Sequence, residues 1–252
     1  MASVDEHKKF LVACEIGDLE TVEGLFDKFV NNDYILQMRN LVVLKGNLNV
    51  LEYFYQRGVD MNEVYYAKTP LIIAARTGWV DVIDFLLEMG EDINLQNFNG
   101  DTALMIASMC GNIDIADRLL ETGQCNVNHK DIWGDTVLFC VVKRGHLGVV
   151  DKLLVYGANY YHVNKNGENL LHCAILSENI DMLQRVMSLR PDVNHQDNYG
   201  WTPLMYAVRI GKGEMIKILM EHGADPMIED KNGKTASDFT RDSEIKNLLM
   251  KK

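Results

Sequence analysis

The sequence predicts an all-α fold, a solenoid of stacked helix-turn-helix units with projecting β-hairpin loops. Three observations support this prediction: a short phrase recurs at a nearly constant interval, glycines recur in the same phase, and an apolar pair ends each recurring segment. A fixed interval of roughly 20–50 residues is typical of repeat proteins, in which each unit stacks on its neighbours. The periodicity therefore outweighs the expectation from length alone, which for 252 residues is one or two globular domains.

The first helix of each unit begins at a recurring phrase, a threonine and a leucine two residues apart, followed by a small apolar residue. The phrase occupies positions 69, 102, 136, 169, 202 and 235, so the intervals are 33, 34, 33, 33 and 33 residues. Asn169 replaces the threonine in one copy, and only the threonine remains at 235. A threonine side chain caps the free N–H groups of a helix, and Pro70 and Pro203 occupy the favoured first helical position.

The first helix ends at a glycine nine residues after the phrase, and a second helix follows. Glycine suits a left-handed helix stop, and Glu178 is the one exception among the five units. The second helix is exemplified by residues 80–87, with apolar side chains at 80, 82, 83, 86 and 87, which is helical spacing. A segment rich in Asn, Asp and Gly, such as residues 92–100, then predicts a tight projecting turn.

Two stretches carry a family resemblance. Thr69-Pro-Leu-Ile-Ile-Ala-Ala-x-x-Gly78 and Gly223-Ala-Asp…Asp230-x-x-Gly233-x-Thr235 resemble the ankyrin repeat, and the pattern covers nearly the whole chain. We expect a single ankyrin-repeat array with a cap at each end, because an internal unit exposes an apolar face on each side. The eight expected units are residues 6–32, 33–62, 63–94, 95–128, 129–162, 163–194, 195–227 and 228–252.

One unit departs from the family pattern more than the others. The histidine usual in ankyrin repeats survives only as His172, and the resemblance implies that its imidazole hydrogen-bonds to neighbouring backbone. The unit of residues 163–194 also lacks its threonine and two glycines, with Glu178 and Arg190 at the glycine positions. We expect any soft or bent point of the array there.

Composition and charge exclude several classes of protein. Apolar residues make up 47% of the chain, and the net charge of −11 argues against a nucleic acid or an anionic membrane as partner. No apolar run approaches the roughly 18 residues of a membrane span, and the N-terminal residues do not resemble a secretory signal. Five cysteines without paired spacing fit free thiols in a reducing compartment. We therefore expect an intracellular, cytoplasmic protein, with nuclear or cytoskeletal association left open.

No motif predicts catalysis, a cofactor, a metal ion or a small-molecule substrate. The segment Gly211-Lys-Gly213 lacks the strand-glycine-helix context of a phosphate-binding loop. His172 beside Cys173 could ligate a metal ion, but no second pair shares the spacing, so a structural histidine beside a core thiol is favoured. Catalytic groups that converge only in space are invisible in a sequence. The resemblance, however, implies a binding module rather than an enzyme.

The resemblance implies that a partner contacts the hairpin tips and the inner helices, which in ankyrin arrays form a concave face. The aromatic, apolar and basic candidates for protein binding at these positions are Tyr65, Tyr66, Arg76, Phe98, Met109, Ile132, Trp133, Lys143, Arg144, Tyr199, Trp201 and Arg209. Exposed aromatic residues are typical interface anchors, although the alternative is that some fold back onto neighbouring hairpins. The cations would attract an acidic segment, unless Asp101, Asp135 and Glu168, also assigned to the tips, cancel their charge.

The leading hypothesis is a non-enzymatic scaffold or adaptor that binds a protein partner on the concave face. Because repeats and caps occupy the chain, we expect no effector domain and a role as a subunit of a larger complex, for example a cytoskeletal one. The alternative is an inhibitory regulator that occludes a partner's active or nucleic-acid-binding surface. An enzyme is the third hypothesis, and it requires a deep pocket lined by mutually hydrogen-bonded titratable groups.

Overall fold

The computed structural model describes residues 3–29, 32–66 and 68–250. Helices and turns account for its regular structure, and within these ranges there is no strand, which confirms the predicted all-α fold. None of the described helices combines the length and the hydropathy that a membrane span requires. The chain divides into two compact units, Met1–Asn126 and Val127–Lys252. The boundaries of the eight expected repeats stay a prediction.

In the first unit the helices follow one another as pairs. They are α1 (Val4–Ile16), α2 (Leu19–Leu25), α3 (Asn32–Lys45), α4 (Leu48–Gln56), α5 (Pro70–Thr77), α6 (Val80–Glu88), α7 (Ala103–Cys110) and α8 (Ile113–Glu121). A short 3-10 helix, Phe26–Lys28, follows α2. The first helices of the pairs form one packed layer, in which α3 contacts α1 and α5, and α5 contacts α7. The second helices pack behind them, α2 on α4 and α6 on α8.

The second unit repeats this arrangement. Its helices are α9 (Val137–Arg144), α10 (Leu147–Val155), α11 (Leu170–Leu176), α12 (Ile180–Met187), α13 (Pro203–Arg209), α14 (Gly213–Glu221) and α15 (Ser243–Met250). Here α11 lies between α9 and α13, and α12 packs on α14. A 3-10 helix, Ala236–Phe239, packs on α13 and replaces the first helix of a full pair. The core of each unit lies between the two layers of helices.

The first helices begin and end where the repeated phrase predicts. The hydroxyl of Thr69 accepts a hydrogen bond from the N–H of Ile72 at 3.2 Å, which caps α5. At the other end Gly78 has φ +89° and donates its N–H to the carbonyl of Ala74 at 3.0 Å. Residues Pro70 to Ala75 are all buried, so most of the helix belongs to the core. Local capping and burial therefore specify the helix together.

The unit of residues 163–194, which departs most from the family pattern, keeps its first helix, α11, through substitute contacts. The Oδ1 of Asn169 accepts from the N–H groups of Leu171 at 3.1 Å and His172 at 3.2 Å, so asparagine replaces threonine as the cap. The His172 Nε2 lies 3.1 Å from the carbonyl oxygen of Trp201 in the next loop, which confirms the expected contact with neighbouring backbone. Burial lowers the pKa of His172 and favours the neutral ring.

The projecting loops are tight turns, as the segments rich in Asn, Asp and Gly predict. In the loop of residues 97–101, the N–H of Asn97 donates to the carbonyl of Asp101, and the N–H of Gly100 donates to that of Asn97, both at 3.0 Å. Five residues per turn leave no length for a continued ladder of hydrogen bonds. Among the described residues the one isolated strand-type bridge joins Tyr65 and Lys68.

Candidate protein-binding surface

Each regular tip is shaped by an aspartate or asparagine five residues before the helix cap. The Oδ1 of Asp197 accepts hydrogen bonds from the N–H groups of Tyr199 and Trp201, both at 2.8 Å. Asp131 closes an equivalent tip with bonds of 2.8 and 2.9 Å. These bonds satisfy the backbone of the turn locally, so the side chains at its apex need not fold inward to support it.

The apex side chains of several tips are exposed and apolar. In the second unit Ile132, Trp133 and Tyr199 are exposed, and in the first unit Phe98 is exposed. Their backbone is held in place: the N–H of Lys165 donates to the carbonyl of Trp133 at 3.0 Å, and an equivalent 3.1 Å bond links the next tip to Tyr199. At these tips the backbone is held by hydrogen bonds while the apolar side chain is exposed to solvent.

Trp201, which the sequence placed among the exposed anchors, is half-buried against the last turn of the chain. Its indole N–H donates to Oδ2 of Asp230 at 3.2 Å, and its ring lies 4.5 Å from that of Phe239. The guanidinium of Arg209 sits 5.0 Å from the ring centroid, in cation–π geometry. This residue folds back onto the neighbouring turn, as the alternative interpretation allowed.

Asp101, Asp135 and Glu168 are buried, which corrects their assignment as exposed tip residues. They face the inner side of the turns, where Asn164 donates its side-chain N–H groups to Asp135 at 2.7 Å and to Glu168 at 2.8 Å. The carboxylate of Asp101 is likewise bound by a side-chain amide, that of Asn97, at 2.8 Å. Only Asp135 reaches a candidate cation, Lys143, at 4.0 Å.

The remaining candidate cations are exposed and keep their charge available. Arg76 lies at the end of α5, Arg144 at the end of α9 and Arg209 at the end of α13. No ion pair involves any of the three within the described part of the chain. Lys143 is exposed but shares its charge with Asp135. Charge cancellation by tip carboxylates therefore applies to Lys143 and not to the arginines.

In the second unit a cleft of about 490 Å³ brings Tyr199, Trp201 and Arg209 together. Its floor includes Tyr206, whose hydroxyl lies 2.9 Å from Asp197 Oδ2 and 3.1 Å from Glu168 Oε1. Burial, followed by these carboxylates, raises the pKa of Tyr206, so the phenol stays protonated. The candidates Ile132, Trp133, Lys143 and Arg144 do not line this cleft.

In the first unit most of the candidate protein-binding residues line two cavities. One of about 510 Å³ is lined in part by Tyr65, Tyr66 and Arg76, and one of about 220 Å³ by Tyr66, Arg76 and Phe98. Tyr66 is exposed, whereas Tyr65 is half-buried and meets the Tyr66 ring edge-on at 4.7 Å. Met109 is half-buried on α7 and lines neither cavity.

Sequence analysis missed a pair of buried ionisable side chains in the first unit. Arg39 is fully buried on α3 and donates hydrogen bonds to the carbonyls of Asp60 and Glu63, the latter at 2.8 Å. Glu91, also buried, is its electrostatic neighbour, and neither Glu91 oxygen has a hydrogen-bond partner among the described residues. The available signal was the irregular loop of residues 57–68, in which Val64 and Ala67 stand where regular tips have an aspartate or asparagine and a glycine.

Comparisons with known proteins agree with this architecture. The family model described as ankyrin repeats (3 copies) matches residues 10–97, 39–131, 123–197 and 183–239. The ankyrin repeat protein FPV031 of fowlpox virus (strain NVSL) is 34% identical over 159 residues, which are 60% of this chain and 47% of the viral protein. This chain therefore spans less than half the length of that relative.

Two solved structures share the fold. The ankyrin repeat domain of human ASB11 has a TM-score of 0.72 and 27% identity, and the match covers 84% of this chain and 96% of that domain. The ankyrin repeat domain of Bcl-3, described as a unique member of the IkappaB protein family, has a TM-score of 0.72 at 23% identity, covering 84% and 97%. Ankyrin arrays are typically non-enzymatic and present extended surfaces to protein partners. With capped helix pairs and Asx-closed turns recurring at the family's period, this chain belongs to the ankyrin-repeat family.

Proposed function

We propose that this chain is a non-enzymatic scaffold or adaptor that binds a protein partner through its tips and inner helices, as a subunit of a larger complex. The observation that carries the proposal is the exposure of Trp133 and Tyr199 at the tips of the second unit. Aromatic rings contribute large contact areas and dominate interface energetics. The hydrogen bonds that hold both tips reduce the entropy that binding must overcome.

The charge of this surface supports a partner with an acidic segment. Arg144 and Arg209 are exposed at the ends of first helices, and neither takes part in an ion pair among the described residues. A positive patch on a chain of net charge −11 attracts acidic partners locally while repelling them elsewhere. The same net charge supports the exclusion of nucleic acid as a partner.

Two further features support the proposed non-enzymatic role and an intracellular location. The ankyrin family assigns the fold to interaction modules, which supports a non-enzymatic role. The five cysteines, at positions 14, 110, 125, 140 and 173, are free thiols, which supports a reducing intracellular compartment.

The proposal is tested by capture of partners on the variant Trp133→Ala/Tyr199→Ala. We expect the double variant to lose most captured protein, because truncating an interface aromatic commonly costs about 2 kcal/mol or more. Thermal unfolding should change little, because both rings are exposed. Immobilised wild-type and variant proteins are compared by quantitative mass spectrometry of material captured from the native cell.

The matched control is Tyr156→Ala/Tyr161→Ala, which removes two exposed rings from the same unit outside the tips. Tyr156 is 43% exposed and Tyr161 69%, against 51% for Trp133 and 68% for Tyr199. The control should capture the same proteins as the wild type. Equal capture by all three proteins would contradict the proposal. Turnover of a captured partner then distinguishes a scaffold, which leaves it unchanged, from an inhibitor, which lowers it.

A further inference from the structure

The two cavities of the first unit are parts of one groove. The cavity of about 510 Å³ and the cavity of about 220 Å³ share four lining residues, Tyr66, Lys68, Ile73 and Arg76. A shared wall means that the cavities adjoin, so together they form a groove with a larger and a smaller lobe. We call it the two-lobed groove.

Both lobes have apolar linings. Leu11 of α1 and Leu41 and Leu44 of α3 line the larger lobe, and Leu11 and Leu44 are exposed to water. Ile106 of α7 and the exposed ring of Phe98 line the smaller lobe. Exposed apolar side chains that line a concavity, rather than lying singly on a convex surface, indicate a place where another apolar group is buried.

The wall shared by the two lobes carries uncompensated positive charge. Lys68 and Arg76 are exposed there, and no ion pair involves either of them in the described ranges. The acidic residue of the larger lobe, Glu15, lies 2.7 Å from Lys45 and is neutralised by it. The groove is therefore positive in a chain whose net charge is −11.

The groove includes the irregular loop, whose described residues, 57–66 and 68, make several supporting contacts. Residues 59–68 contain no glycine, and Tyr66 adopts φ +49°, a left-handed conformation that costs a tyrosine free energy. Paired 3.1 Å backbone hydrogen bonds between Tyr65 and Lys68 close the turn. The buried guanidinium of Arg39 donates hydrogen bonds to the carbonyls of Asp60 and Glu63. Strain that is maintained by surrounding contacts is typical of functional sites. A pre-organised wall also lowers the entropy cost of binding.

From this arrangement we infer that the two-lobed groove binds a protein segment in which an aspartate or glutamate is flanked on both sides by apolar residues. The carboxylate contacts Lys68 and Arg76 on the shared wall, and an apolar side chain enters each lobe. This inference rests on the proposed function, and it adds a second binding site, in the first unit, with a stated partner chemistry.

The test is peptide selection on the full chain. A random twelve-residue phage library is panned on the immobilised wild-type protein and, in parallel, on the variant Lys68→Glu/Arg76→Glu. We expect the wild type to enrich peptides with an acidic residue between apolar residues, and the variant not to enrich them. The strongest peptide, labelled with fluorescein, should bind the variant at least about tenfold more weakly in fluorescence anisotropy.

Two further variants separate the groove from general charge. Leu11→Gln/Leu44→Gln makes the larger lobe more polar and should also weaken binding by about tenfold. Because these leucines are only 37% and 40% exposed, thermal unfolding of the variant is measured first, and binding is compared at a temperature where both proteins are folded. The control Lys217→Glu/Arg241→Glu makes the same charge change at exposed positions of the second unit and should leave peptide affinity unchanged.

The inference is overturned if no peptide is enriched, if the enriched peptides lack an acidic residue, or if Lys68→Glu/Arg76→Glu binds them as wild type does. Failure here is distinguishable from failure of the proposed function, which is measured on Trp133 and Tyr199 in the second unit. Loss of cellular partners from Trp133→Ala/Tyr199→Ala would stand without the groove, and peptide binding in the groove would stand without those tips.

Discussion

Arg39 and Glu91 place two ionisable side chains in the interior of the first unit, where apolar residues are the rule. Burial lowers the pKa of Arg39 to about 10 and raises the pKa of Glu91 to about 8, and their mutual attraction opposes both shifts. Arg39 recovers part of the desolvation cost through carbonyls of the irregular loop. Glu91 recovers less: the backbone of Leu71 lowers its pKa, but neither carboxylate oxygen has a partner at full hydrogen-bond geometry among the described residues.

This carboxyl predicts a pH dependence of stability. In an unfolded chain Glu91 has a pKa near 4.5, so between about pH 4.5 and 8 the folded state holds a proton that the unfolded state lacks. The free energy of unfolding should therefore fall as pH rises through this window, by at most about 1.4 kcal/mol per pH unit. Its contribution is fully present below pH 4.5 and is lost by about pH 8. Glu91→Gln, which stays neutral, should remove this slope.

Urea unfolding of wild type and Glu91→Gln at pH 5, 6.5 and 8 measures the difference. We expect the variant to gain stability relative to wild type as the pH rises. Glu88→Gln, an exposed carboxylate at the end of α6, is the matched control and should follow the wild type. Identical pH profiles for Glu91→Gln and wild type would show that Glu91 does not hold a proton in the folded state.

At the scale of elements, the helices α11 and α12 form a repeat whose stop signals are missing. Glu178 and Arg190 occupy positions where other repeats have glycine, and their φ angles are +54° and +56°. A left-handed conformation costs a non-glycine residue about 1–2 kcal/mol, so neighbouring contacts hold both residues in place. Glu178 is partly compensated by an ion pair with Lys212 at 2.6 Å. The predicted soft point of the array remains a prediction at this repeat.

Arg190→Gly should stabilise the protein by about 1 kcal/mol, because relief of the left-handed strain exceeds the extra entropy of glycine in the unfolded chain. The matched reverse change is Gly157→Arg, at the equivalent position one repeat earlier. Gly157 has φ +85°, and an added Cβ there would meet no atom within 4 Å, so no clash of the Cβ adds to the backbone strain. Thermal unfolding should shift upward for the first variant and downward for the second. Shifts of the same sign would contradict the strain argument.

At the scale of the whole molecule, acidic residues dominate the net charge while exposed arginines mark the candidate surfaces of each unit. Such segregation acts over longer distances than a contact does, and it changes the rate at which a partner arrives more than the rate at which it leaves. Added salt should weaken it, because the Debye length is about 8 Å at physiological ionic strength.

Arg144→Glu/Arg209→Glu should slow association with a captured acidic partner about tenfold and flatten its salt dependence. Stopped-flow association rates at several salt concentrations measure both effects. Lys217→Glu/Arg241→Glu, with the same change in net charge, is the control and should retain most of the wild-type rate. An unchanged rate and salt slope for the first variant would mean that these arginines do not steer the partner.

Much of the fold could be predicted because the signals are local. The caps, the glycine stops and the apolar stripes act within one turn of helix, so a single repeat such as Thr69 to Gly78 specifies its own helix. The surface was predicted less well. Tyr199 and Trp201 lie two positions apart in one turn. Asp230 and Phe239, thirty to forty residues later, nevertheless bury part of the Trp201 ring and leave the Tyr199 ring exposed.

The sequence by itself determined that the chain is a stack of capped helical pairs, because each repeat carries its own start, stop and apolar stripe. Only the tertiary structure decided which tip side chains meet water, where Arg39 and Glu91 meet, and that Tyr66, Lys68 and Arg76 line one groove. The physical reason is range. Helix capping couples residues three to five apart, whereas burial and charge pairing depend on the neighbouring repeat, which no local pattern specifies.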